Sequence, residues 1–311
     1  MLVSAAWRGA LVGAVVSVLL AGCGGPDRPD SGRPLDPAAV AADHQRILDE
    51  LDAAKAVLAD RTVPPGERWT ALRTLHRRLE DWAPQVANAG KAENHVLFHL
   101  AWCRFELEAE RGGTGVLAAL DRIDASRSTA FLGHGRLLRL RTLLRRGERS
   151  AAERLAPELE ALMPELGPVA RAWLRFHALV GGTAPAATGR RLHAGEPAPP
   201  GAWRLWVFTG TFDADALAIT ERALAAAGAR LRVSIVTFDG SPLALAPFQR
   251  LPGADRAELW WAGAADQSAA VAAAWRLPEL SSVLCTPDGT VVAVDLTPAL
   301  ASAMAEGRFV R

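Results

Sequence analysis

From residue 36 to about 180, apolar side chains recur at intervals of three and four, the spacing of one face of an α-helix. Asp36 with Pro37 behind it reads as an N-cap followed by the first helical position, and Val40, Ile47, Leu48, Leu51 and Val57 continue the stripe. A second helix is expected from Pro65-Gly66-Glu67, with Trp69, Leu72, Leu75 and Leu79 on its apolar side. Further helices are expected over 92–111, 115–123, 129–146, 150–163 and 167–180, most of them ended by Gly or Pro. From Trp203 the pattern changes to short apolar runs alternating with helical stretches. Strands are expected at Leu205–Phe208, Arg230–Asp239, Leu259–Trp261, Val283–Cys285 and Thr290–Val294, and helices at 213–227, 267–275 and 298–306. Thr286-Pro287-Asp288-Gly289 is a turn between the last two strands. The Pro- and Gly-rich stretch 183–202 separates the halves, with 189–193 as a short strand ahead of the second.

Helices of this length joined by short turns stack as antiparallel pairs, either as a plain bundle or as repeats. Leu97 to Gly112 followed by Val116-Leu-Ala-Ala-Leu120 shares a plan with Leu137 to Arg146, Gly147-Glu148 and Ala151-Ala152-Glu153 about 40 residues on. The second copy resembles a tetratricopeptide-type helical hairpin, and such arrays bind proteins or pack on a neighbouring domain.

His95, His99 and Cys103 stand at i, i+4 and i+8, on one stripe of the third helix, near Glu93. Imidazole and thiol suit zinc or copper, but the stripe spans about 12 Å at 1.5 Å per residue, too long for one ion to be held from both ends. Helix packing is the expectation for these three, and no metal or cofactor is assigned.

Charge changes the picture little. The formal net charge is +1 over 311 residues, without the basic excess that marks nucleic-acid binding. Only Lys55 and Lys91 are lysines and there is no tyrosine, a bias read as coding composition.

The N-terminus adds an address. Arg8 precedes an apolar stretch, 10–21, that is short for a membrane span, and it ends in Leu20-Ala21-Gly22-Cys23. This resembles a bacterial lipoprotein signal, which implies cleavage before Cys23 and acylation of that residue. Two or three acyl chains, at ~0.8 kcal/mol per buried methylene, anchor stably where one does not. Residues 23–35 would then be a lipidated tether in the cell envelope, facing the periplasm or the outer side. Cys103 and Cys285 remain, each in an apolar neighbourhood that suits a buried thiol.

The order of elements after Trp203 resembles the thioredoxin-like fold, in particular the membrane-anchored thiol–disulfide oxidoreductases of the TlpA/ResA kind and related peroxiredoxin-like domains. Two stretches carry the resemblance, which runs over about 189–311: Phe208-Thr-Gly-Thr-Phe-Asp-Ala-Asp-Ala216 lies over the family's Phe-Trp-Ala-Thr-Trp-Cys-x-x-Cys, and Leu280-Ser-Ser-Val-Leu-Cys-Thr-Pro-Asp-Gly289 over its late strand. The departures matter more than the matches. Asp213 stands at the attacking cysteine, Ala216 at the resolving cysteine and Leu280 at the family's cis-proline. Thiol–disulfide exchange needs a thiolate and a second cysteine to resolve the mixed disulfide, and neither position supplies one.

Asp213 and Asp215 have two readings: an acid–base or cation-holding pair, or a helix cap with a second carboxylate at the positive end of the helix dipole. The five tryptophans Trp203, Trp206, Trp260, Trp261 and Trp275 likewise suit core packing or a flat binding platform.

The expectation is thus a signal peptide at 1–22, a tether at 23–35, an α-helical domain of hairpins at 36–182, a linker at 183–202 and an α/β thioredoxin-like domain at 203–311. Its expected role is a non-enzymatic, membrane-anchored protein-binding or scaffold module with an envelope protein or peptide as partner. An oxidoreductase using Cys103 and Cys285 is the alternative.

Overall fold

The computed structural model describes residues 37–59, 63, 65–107, 113–126, 128–186, 189–196, 199–210, 213–226 and 230–297. The expected signal, the lipidation site Cys23, the tether and the closing helix 298–306 lie outside them. The described chain is helix-rich in its first half and closes with a mixed sheet.

Among the described residues seven helices precede the sheet: α1 (Pro37–Ala59), α2 (Pro65–Trp82), α3 (Lys91–Leu107), α4 (Thr114–Ala125), α5 (Leu132–Arg145), α6 (Arg149–Leu162) and α7 (Leu166–His177). The expected start of α5 at residue 129 moves to Leu132 because Phe131 takes a left-handed backbone, φ 61°, which a helix cannot include. The loop ahead of it is held from below: the fully buried Asn94 donates its side-chain amide to Ser128 O at 3.0 Å and Ala130 O at 2.9 Å.

Two compact units divide the described residues. One runs from α1 to Phe105 and from 113 to Arg139; the other takes Glu106 and Leu107 and everything from Leu140 onward. Helices α6 and α7 therefore belong with the sheet. Described parts of 183–202, expected as a linker, also join it. Thr183 bridges Thr290, Ala184 donates to Gly289 O at 2.8 Å, and Arg190–His193 forms strand β1. Gly189, just before β1, has φ +88°, and a Cβ there would lie 2.2 Å from Trp261 O, so only glycine lets the chain dock.

The other strands are β2 (Trp203–Thr209), β3 (Leu231–Thr237), β4 (Glu258–Trp261), β5 (Ser282–Cys285) and β6 (Val291–Val294), in spatial order β1-β4-β3-β2-β5-β6. Strands β2, β3 and β4 are mutually parallel, whereas β5 runs antiparallel to β2, β6 to β5 and β1 to β4. Helix α8 (Ala214–Ala226) connects β2 to β3, and α9 (Ala265–Ala274) leads from β4 towards β5. Alternation along β2 sends Leu205 and Val207 to one face and Trp206 and Phe208 to the other. The first pair meets Ile219, Ala223 and Leu224 of α8. The second meets Trp275 at the end of α9, with ring centroids 5.5 Å from Trp206 and 5.0 Å from Phe208. The β5–β6 turn closes as expected, with Gly289 at φ +86° and its N–H on Thr286 O at 3.0 Å.

One buried ion cluster ties α5 to the sheet within the second unit. Asp295, at φ 58° just past β6 and 3% exposed, accepts from Arg141 at 2.8 Å and from Arg145 at 3.1 Å. The Arg141 guanidinium also lies 4.0 Å from the ring centre of Trp173 in α7. Burial by itself would push the Asp295 carboxyl up; the two guanidiniums outweigh it and hold the group well below the usual carboxylate range. Asn tolerates the same left-handed backbone, so Asp295→Asn removes the charge and little else. It is expected to destabilise the fold by about 3–5 kcal/mol at neutral pH, measured by urea unfolding. Because the native pKa is depressed, the carboxylate's contribution is present above pH ~4 and lost as the pH falls through the native value; the gap between the two proteins should narrow in acid.

Candidate functional site

The turn between β2 and α8 is where the sequence places any chemistry. Strand β2 is paired along its whole length with β3, from Trp203 opposite Leu231 to Thr209 opposite Thr237, and along Arg204–Val207 with β5. Phe208 N adds a bond to Ser281 O at 2.8 Å, bringing the segment before β5 beside the end of β2. There Gly210 and Leu280 meet: a Cβ on Gly210 would sit 2.9 Å from Leu280 Cδ1, so the leucine side chain covers the glycine. Thr211 and Phe212 lie outside the described residues.

Asp213 begins α8. Its Oδ1 accepts from Ala216 N at 3.0 Å and its carbonyl from Leu217 N at 3.0 Å, which is N-cap geometry. Ala216 is 3% exposed and packs in the core between α8, β2 and β3. Asp213 and Ala216 are thus a helix cap and a core methyl. Asp213 Oδ1 caps the helix start through Ala216 N, and Ala216 presents only a methyl group to the core.

Cys285 is elsewhere. It faces Arg204 across the β2–β5 ladder, six residues of β2 away from Gly210, or about 20 Å at 3.3 Å per residue. It is 1% exposed, and burial pushes its thiol up to about 11 against the opposing pull of Arg204. Cys103, in α3, is a fully buried thiol.

The histidine stripe of α3 is packed into the first compact unit. His99 Nδ1 shares a hydrogen with His95 O at 2.8 Å, and His95 stacks on Phe131 with ring centroids 4.8 Å apart. His95 is 1% exposed and its pKa falls to about 4, chiefly through burial and then through the Lys55 ammonium. Burial also drives His99 well below the ordinary imidazole value. Both rings are neutral at pH 7, as packing groups are. Among the described residues, no three His, Cys, Asp or Glu side chains converge as a metal site.

Two clusters carry chemistry that the sequence did not announce. One is Asp295 with Arg141 and Arg145. The other is Glu258 at the start of β4, 1% exposed, with Arg191, Arg204 and Arg232 around it. The only signal for the second was an arginine two positions ahead of a buried residue in both β2 and β3. The first joins residues some 150 apart and left no local trace.

No family model matches the chain, and no curated protein matches it. Among solved structures, it is similar to a thioredoxin-like protein from Parabacteroides distasonis, at 13% identity over 41% of this chain and 98% of that one, with a TM-score of 0.30.

Replacing Asp213 by Ala should cost about 1 kcal/mol through loss of the cap, and Asp213→Asn much less, as read by thermal unfolding. For His95 the sign runs through protonation. The unfolded chain binds a proton near pH 6.5 and the native ring only near 4, so the neutral ring's contribution is present above 6.5 and lost as the pH falls. His95→Phe should flatten the pH–stability curve between pH 6.5 and about 4, where the unfolded chain binds a proton that the native ring does not.

Proposed function

We propose that the chain is a lipid-anchored protein of the cell envelope whose sheet forms a thioredoxin-like domain without redox chemistry, serving as a protein-binding or scaffold module. The fold reading is supported by the strand order: β3-β2-β5-β6, with β2 and β3 parallel through α8 and a closing antiparallel hairpin, is the core that the resemblance implies. Helix α9 leads into that hairpin, and β4 adds to the sheet at the β3 edge. Anchoring rests on Leu20-Ala21-Gly22-Cys23. The helical hairpins ahead of the sheet, read as tetratricopeptide-like, supply the surface for an envelope protein or peptide.

The observation that carries the non-enzymatic reading is the Asp213–Ala216 cap. Where a disulfide would be exchanged, the chain makes an internal hydrogen bond. The competing oxidoreductase would have to use Cys103 and Cys285. A thiol with a pKa of about 11 is ionised to only about one part in ten thousand at pH 7, and both sulfurs are buried away from a substrate disulfide.

Insulin reduction tests this. The full chain should give no turnover above the dithiothreitol background. Asp213→Cys/Ala216→Cys, which places two thiols at i and i+3 of a helix start within disulfide reach, should form a disulfide and serve as the positive control. Turnover by the unaltered chain that disappears in Cys285→Ser would overturn the proposal.

A further inference from the structure

At the opposite end of the parallel strands from Gly210, one face of the sheet gathers an excess of positive charge. Arg204 and Arg232 are register partners on β2 and β3, and Trp206 pairs with Ser234 one step along. Ser234 pairs in turn with Glu258 on β4, and Trp260 with Arg191 on β1. Glu258 Oε1 lies 3.0 Å from Arg232 and 3.6 Å from Arg191, and Oε2 lies 3.8 Å from Arg204 and accepts from Ser234 Oγ at 2.6 Å.

One carboxylate therefore answers three guanidiniums, leaving two positive charges over. Both of its oxygens are already engaged. The donors are correspondingly undersupplied with acceptors. Arg232 Nε and Trp260 Nε1 are buried and have no hydrogen-bond partner among the described residues. A buried N–H left unbonded costs about 1–3 kcal/mol, and like charges crowded together add to it.

The cluster is open to solvent on one side. The side chains of Arg191, Arg204 and Arg232 are 51%, 36% and 22% exposed, while Glu258 at their base is 1% exposed. Two indoles lie against the guanidiniums: Arg204 Cζ is 5.0 Å from the ring centre of Trp206, and Arg191 Cζ is 5.7 Å from that of Trp260. Stacking of this kind fixes the forks before a ligand arrives and lowers the ordering cost of binding.

We propose that this face binds a phosphate dianion, free or as a phosphomonoester, between Arg191, Arg204 and Arg232. The match is one of charge and valence. The site offers a surplus of two positive charges and only donors, and such a dianion carries two negative charges and only acceptors. Guanidinium forks engage phosphate oxygens in pairs, which a single carboxylate cannot fully use. Nothing in the argument depends on the thioredoxin-like reading, because the site lies about 20 Å along β2 from the Asp213 turn. A phosphomonoester lipid headgroup and a soluble phosphate share this chemistry.

Isothermal titration of the full chain in an uncharged detergent tests the proposal, with inorganic phosphate as the probe and sodium chloride at matched ionic strength as the control. Saturable binding of one phosphate per chain is expected, weakened at least tenfold in Arg191→Gln/Arg204→Gln. Arg191→Gln alone, at a half-exposed position that folding tolerates, should weaken it several-fold. A second arm uses soluble short-chain phosphatidic acid. Binding tenfold tighter than inorganic phosphate assigns the site to a lipid headgroup, and equal or weaker binding assigns it to a free phosphate. A response to phosphate and phosphatidic acid no larger than that to chloride overturns the proposal. So does binding that is unchanged in both variants.

Discussion

Strand β2 is bonded on both edges and buried on both faces, and the second compact unit is arranged around that constraint. Its β3 edge is parallel, which requires a crossover and so places α8 against Leu205 and Val207. Its β5 edge is antiparallel, which permits the short β5–β6 hairpin. Its outer face needs a cover for Trp206 and Phe208, and Trp275 at the end of α9 supplies it. The two ends of the same strand then differ in kind. One opens into a tight turn at Gly210, and the other carries Arg204 into a charged cluster.

Polar groups in this interior are handled in three ways, each set by what surrounds the group. Asp295 stays ionised because two guanidiniums outweigh the cost of burial. His95 and His99 stay neutral because burial dominates and the nearby Lys55 ammonium opposes a second charge. Glu258 draws more cationic partners than one carboxylate can use. The first two arrangements leave little charge over: the Asp295 carboxylate is paired and the histidines are neutral. The third leaves positive charge over, and that imbalance separates a structural ion cluster from a binding site.

The turn after β2 is fixed by backbone and packing demands. Strand, glycine and helix start are geometry, and Asp213 serves that geometry as well as a cysteine would, since a helix start has unpaired N–H groups in either case. Leu280 fills the space over Gly210, and Ala216 fills the core beside α8.

Among the described residues, local pattern alone was enough for the helices apart from the start of α5, for every core strand and for the β5–β6 turn, because periodicities of 3.6 and 2 and the φ demands of Gly and Pro act within a few residues. Asp213 as a cap belongs to the same class. The start of α5 shifted by three residues because Asn94, more than thirty positions away, holds the preceding loop by its carbonyls. The stretch 183–202 read as a linker because Pro and Gly predict loop; whether such a segment hydrogen-bonds to a sheet depends on the strands beside it. Asp295 with Arg141 and Arg145, and Glu258 with its three arginines, join elements that only the sheet order brings together. Electrostatic partnership is a property of distance in space, and a sequence records distance along the chain.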